Sequence, residues 1–164
     1  MSGIYIHIPF CKQACSYCDF YFVTKSDQKE DFVSSLILEI AALEGHLFTE
    51  EVVRSVYFGG GTPSLLTSDQ LKRIMAELKR VFTLEVDELT IEMNPDNVTP
   101  DYLMSLKACG FDRISMGVQS FSEKSLSFMN RAHNQAQALQ ALYDIVACSF
   151  KNYTVDLIYC QPNQ

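Results

Sequence analysis

At 164 residues, 48% of them hydrophobic and 20% charged, the chain can bury a sizeable core and reads as one globular domain. Its formal net charge of −7 excludes a generic nucleic-acid surface, which needs clustered Lys and Arg. No apolar run approaches the ~20 residues of a membrane-spanning helix.

The predicted elements alternate between two periods. Residues 4–8 are a strand feeding a cysteine loop. Asp27-x-x-Glu30 has the form of a capping box and opens a helix to about residue 45, with Phe32, Val33, Leu36, Ile37, Ile40 and Leu43 at helical spacing. Residues 54–58 form a second strand. Thr67-x-x-Gln70 starts a helix with Leu71, Ile74, Met75, Leu78 and Phe82 on one face, and residues 89–93 are a third strand. Thr99 caps the next helix, Pro100 opens it and Gly110 ends it. A fourth strand over 113–118, helices near 122–129 and 135–148, and a fifth strand over 154–159 follow. Such repetition predicts parallel βαβ units, whose chemistry gathers at the carboxyl ends of the strands. Cys11–Cys18, Gly59–Pro63, Glu92, Gln119 and Asp156 all fall there.

Cys11, Cys15 and Cys18 stand at C-x3-C-x2-C spacing, so three sulfurs can face one point without a long loop having to close. Thiolates are soft ligands suited to iron–sulfur clusters or zinc. A four-iron cluster usually takes four cysteines, and here Asp19 and Phe20 follow where a fourth might stand. One iron would then stay open to another ligand. The alternative is a structural zinc site completed by His7, although strand alternation would turn His7 away from the loop. Disulfides are not expected: no leader precedes the cysteines, and a chain that starts in a strand is expected in the cytoplasm, where thiols stay reduced. Cys109 and Cys148 are expected in the helical core, and Cys160 is unpaired by motif.

Gly59-Gly60-Gly61-Thr62-Pro63 allows backbone to approach a ligand closely, and no Lys-Ser/Thr follows as in a phosphate-binding P-loop. Glu92 is a carboxylate at the end of an apolar strand, where it needs donors such as a ribose diol, unless it simply faces water. Gly117 lets strand four pass close to a ligand, Gln119 offers a donor and an acceptor, and Arg131 could pair with a carboxylate. His133 is expected to cap or pack.

The cysteine spacing with an aromatic before the third cysteine resembles the radical S-adenosylmethionine (SAM) superfamily. The strings Tyr5-Ile-His-Ile-Pro-Phe-Cys11 and Cys18-Asp19-Phe20 are similar to its group containing oxygen-independent coproporphyrinogen III oxidase and the heme chaperone HemW. The resemblance implies an α/β fold, a partial TIM-type (βα) barrel with about five of six units, over residues 3–164. It also implies that the last strand and a carboxyl-terminal domain are missing.

By the same resemblance Cys11, Cys15 and Cys18 hold a [4Fe–4S] cluster whose open iron chelates SAM, which one electron cleaves to methionine and a 5′-deoxyadenosyl radical. Gly60, Gly61 and Thr62 would then meet the methionine amino group and Glu92 the ribose, while Tyr5, Gln119, Arg131 and Asp156 complete the pocket. The implied partners are heme or a porphyrinogen, an electron donor such as flavodoxin or ferredoxin, and heme-acceptor proteins. Phe20, at a position where the oxidase has a further cysteine, and the early first strand favour the chaperone branch. No heme ligand is assignable: His7, His46 and His133 are unsupported. The sequence departs from the family at its end, where a Gly-Leu-Pro-Gly-Gln segment is Cys160-Gln161-Pro162-Asn163-Gln164. That change is expected to restrict the backbone beside the adenine.

Overall fold

Side chains alternate across a strand, so each strand shows one face to the helices and the other to the opposite side. In the computed structural model, which describes residues 2–25 and 27–161, five parallel strands lie in sequence order. They are β1 (Ser2–Ile8), β2 (Val53–Gly60), β3 (Leu84–Met93), β4 (Arg113–Gln119) and β5 (Asn152–Leu157). Five helices connect them: α1 (Lys29–Ala42), α2 (Ser68–Val81), α3 (Pro100–Ala108), α4 (Glu123–Phe128) and α5 (Gln135–Ala147).

The register aligns Ile6, Phe58, Ile91 and Ile114 in one row. All four are buried beneath the helices, with Leu71, Ile74 and Leu78 of α2 and Leu103 and Leu106 of α3. Phe58 meets Phe111 edge-on, ring centroids 5.3 Å apart. The other face carries Tyr5, His7, Tyr57, Thr90, Glu92, Ser115 and Asp156, a polar wall that a sheet covered on both faces would not carry. That wall positions the site. Among the described residues no helix is long and apolar enough to cross a membrane.

Local signals act where expected at α2. Thr67 Oγ1 accepts the Gln70 N–H at 3.2 Å and Gln70 Oε1 accepts the Thr67 N–H at 3.0 Å, closing the capping box in both directions. Thr67→Ala should lower stability by about 1 kcal/mol, read as a lower urea midpoint with an unchanged slope. Thr99 Oγ1 caps α3 in one direction only, accepting the Tyr102 N–H at 3.2 Å, Pro100 is its first residue, and Gly110 leaves it at φ +94.

The capping box expected at α1 does not form. Gln28 is its N-cap and makes no side-chain cap bond. The Glu30 carboxylate that would close the box is taken by Gln70 Nε2 at 3.0 Å and by Arg73, so a contact between helices outcompetes the local one. Helix α1 also stops at Ala42, short of residue 45. Strand β5 lies two residues earlier than the expected 154–159. Its ladder begins with Asn152 opposite Arg113 and ends with Leu157 opposite Gln119, after which Cys160 turns at φ +58. Cys109 and Cys148 are the C-caps of α3 and α5, half-buried against the core rather than within the helices.

Candidate functional site

Ten of the eleven residues singled out in the sequence line one cavity at the carboxyl ends of the strands: Cys11, Cys15, Cys18, Gly60, Gly61, Thr62, Glu92, Gln119, Arg131 and Asp156. Tyr5 is the exception. It lies exposed on the polar wall, stacked on Tyr57 at 5.9 Å, with its hydroxyl 3.3 Å from His7 Nδ1.

The cysteine loop leaves β1 and is held from outside. Cys11 N donates to Val23 O at 3.0 Å, and Val23 N donates to Pro9 O at 2.7 Å. Lys12 pairs at 2.6 Å with Asp96, whose side chain is only 8% exposed. The turn after α4 clamps the other flank. Gln13 Nε2 donates to Asn130 O at 2.6 Å, Asn130 Nδ2 donates to Ala14 O at 2.6 Å, and Ser16 Oγ donates to Phe128 O at 3.0 Å. Asn130 stands at φ +53, which asparagine tolerates better than most residues. Each such bond contributes about 1 kcal/mol net, so the loop is shaped by its neighbours.

All three thiols are free. Arg131 Nη1 donates to Cys15 Sγ at 3.3 Å, and Thr62 Oγ1 donates to Cys11 Sγ at 3.7 Å. Burial raises the Cys11 thiol above its ordinary pKa, while the Thr62 hydrogen bond opposes that rise. Among the described residues no three His, Cys, Asp or Glu side chains converge on one ion-sized point. His7 does not complete the cysteine set: its Nε2 is 3.1 Å from Tyr21 O. His133 is buried with Nε2 3.1 Å from Val118 O, so it packs, as expected from sequence.

The glycine run serves the protein's own packing first. Gly61 N donates to Ile8 O at 2.8 Å, and a Cβ there would lie 2.8 Å from Phe10 O. Only glycine lets β2 pass this close to the root of the cysteine loop. Gly60 stands at φ +105 with the His7 ring where a Cβ would be.

Glu92 is half-buried and held on both oxygens: Tyr57 Oη donates to Oε1 at 2.8 Å and Gly60 N donates to Oε2 at 3.1 Å. Burial raises its carboxyl pKa, and those two donors pull it back. The same burial and the bond to Glu92 push Tyr57 up to about 12, so it stays a donor at neutral pH. A carboxylate held this way keeps its remaining lone pairs for hydroxyl donors in the cavity. Arg131 Nη2 donates to Asn94 Oδ1 and Gly117 O, both at 2.6 Å, and Nη1 also donates to Tyr17 Oη at 3.0 Å. Four of its five N–H groups are therefore committed to the protein.

Sequence reasoning missed Tyr57, Asn94, Asn130 and Lys12 as parts of this site. Asn94 had a signal, standing between Glu92 and Pro95 at a strand's carboxyl end. The others had none, since their roles appear only with distant partners. Cys160, at φ +58, occupies a backbone conformation that glycine adopts without strain, and Asn163 lies outside the described residues.

The family model described as the radical SAM superfamily matches residues 5–164. The chain belongs to the radical SAM superfamily. Within that superfamily it is 38% identical over 165 residues to the heme chaperone HemW of Lactococcus lactis, covering 99% of this chain and 42% of that protein. It is 32% identical to the oxygen-independent coproporphyrinogen III oxidase of Synechocystis, covering 99% of this chain and 35% of that protein. The solved radical SAM enzyme coproporphyrinogen III oxidase from Escherichia coli superposes with a TM-score of 0.87 at 31% identity, over 99% of this chain and 38% of that one. The chain thus spans about two fifths of the HemW relative. The α/β fold expected from the repeated βα units is the radical SAM fold, present here as a partial barrel of five parallel strands.

A radical SAM core carries a [4Fe–4S] cluster and SAM, and the residues here fit both. Three free soft ligands share a cavity with donors on two of their sulfurs, beside a carboxylate already fixed by the protein.

Proposed function

We propose that residues 3–164 are the cluster- and SAM-binding core of a cytoplasmic heme chaperone of the HemW type. The observation that carries this reading is the convergence of Cys11, Cys15, Cys18, Gly60–Thr62, Glu92, Gln119, Arg131 and Asp156 around one cavity. In this reading the three cysteines hold the [4Fe–4S] cluster, and the Gly60–Thr62 segment faces the methionine amino group of SAM. Glu92 accepts from the ribose hydroxyls, Gln119 and Asp156 line the adenosine end, and the Arg131 charge faces the methionine carboxylate. The cofactors supply one-electron cleavage of a sulfonium bond, while the chain binds, orients and shields. Heme is the proposed cargo, heme-acceptor proteins the recipients, and a flavodoxin or ferredoxin the electron source.

Phe20 favours the chaperone over the oxidase. It stands 71% exposed at the end of the cysteine loop, in the place of the oxidase's further cysteine. The second reading, oxidative decarboxylation of coproporphyrinogen, draws on the likeness to both oxidases.

The test is anaerobic reconstitution with iron and sulfide, reduction, and EPR with and without SAM, followed by heme titration and porphyrinogen turnover. A four-iron signal whose g values shift with SAM, with heme bound and no turnover, is the expected result. A signal indifferent to SAM would remove the cofactor role of the cavity, and turnover would move the chain to the oxidase branch.

A further inference from the structure

Three hydrogen bonds run in one direction along the cavity wall. Arg131 Nη2 donates to Asn94 Oδ1 at 2.6 Å, Asn94 Nδ2 donates to Thr62 Oγ1 at 3.0 Å, and Thr62 Oγ1 donates to Cys11 Sγ at 3.7 Å. From its other terminal nitrogen, the same guanidinium donates to Cys15 Sγ at 3.3 Å. The directions are forced. Arginine has only donors, so Asn94 must turn its oxygen to Arg131 and its NH2 to Thr62. The Thr62 hydroxyl, already accepting from Asn94, has its single hydrogen left for the sulfur. Bonds aligned head to tail in a half-buried wall polarise and strengthen one another.

Asn94 is thus the one side chain that orders both sulfur donors. Arg131 cannot swing easily: Gly117 O and Tyr17 Oη hold it as well, and its Nε is buried without a partner. A Cβ at Gly117 would stand 3.3 Å from Asn94 Oδ1 and 3.5 Å from Arg131 Nη2, so the strand end makes room for this junction.

We propose that Asn94 is a positioning residue for the iron–sulfur cluster, holding Thr62 and Arg131 with their hydrogens on the sulfurs of Cys11 and Cys15 and so raising the cluster's reduction potential. This rests on the reading that those cysteines bind a four-iron cluster. Hydrogen bonds to ligating sulfur withdraw negative charge and favour the reduced state, which carries one more electron.

The experiment is an EPR-monitored redox titration of the reconstituted full chain without SAM, for the wild type, Thr62→Val and Asn94→Ala. Thr62→Val keeps the side-chain shape and removes one donor, so its reduced signal should grow in at a more negative potential. Asn94→Ala releases Thr62 and removes one of the bonds that hold Arg131, and should also titrate at a more negative potential. Asn94→Ala at the wild-type potential, whether or not Thr62→Val shifts, would overturn the proposal. Should Asn94→Ala assemble no cluster, Thr62→Val decides alone: a negative shift supports the proposal and the wild-type potential sinks it. A wild-type chain without a four-iron signal would instead overturn the reading beneath it.

Discussion

Cys15→Ser is expected to abolish the iron–sulfur cluster. Serine differs from cysteine by one atom, but its hydroxyl is a hard, un-ionised ligand at neutral pH where a thiolate is soft. No other cysteine stands ready to replace it. Cys109 Sγ lies 3.6 Å from Ser68 O and Cys148 Sγ 4.0 Å from Pro100 O, both among the helices, Cys160 is exposed after β5, and none of the three lines the cavity. The loop itself should survive, because its clamps at Lys12, Gln13 and Ser16 do not use the Cys15 side chain. Iron and acid-labile sulfide after anaerobic reconstitution should fall from about four per chain to below one, with the visible cluster absorbance lost and the far-ultraviolet circular dichroism unchanged. A variant that keeps its iron would show that Cys15 is not a ligand.

The second large effect is on the fold. Gly60→Ala forces a side chain onto a residue at φ +105, and its Cβ would lie 2.5 Å from His7 Cε1 and 2.6 Å from Nδ1. The backbone strain costs about 1–3 kcal/mol, and overpacking adds a further cost of about 1–3 kcal/mol. His7 cannot yield freely, since its ring bridges Tyr5 and Tyr21. Gly110→Ala separates the two effects: Gly110 stands at φ +94, but its nearest neighbour would be Leu89 Cδ2 at 3.8 Å. In urea denaturation Gly60→Ala should therefore lose more stability than Gly110→Ala. Equal losses would mean that the His7 ring gives way. Displacement of Gly60 also withdraws its N–H from Glu92, so damage there should reach the carboxylate.

What the sequence determined by itself was whatever depends on near neighbours. Period-two alternation marked the strands, Thr67 with Gln70 and Thr99 with Pro100 marked helix starts, and three cysteines within eight residues marked the loop. The order of elements then placed Glu92, Gln119 and Asp156 at strand ends, because parallel strands all point one way. Tertiary structure decided what depends on distant partners. Glu30 left its capping box because Gln70, forty residues on, offered a stronger claim. Tyr5 stayed out of the cavity lining because the register set it against Tyr57. Strand β5 began at Asn152 because its partner Arg113 stands there on β4. The Gln13–Asn130 clamp joins residues 117 apart in sequence, and Asn94 reaches Thr62 and Arg131 across 32 and 37 residues. Such contacts leave no periodic trace, since each is fixed only when separate βα units bring their carboxyl ends to the same rim.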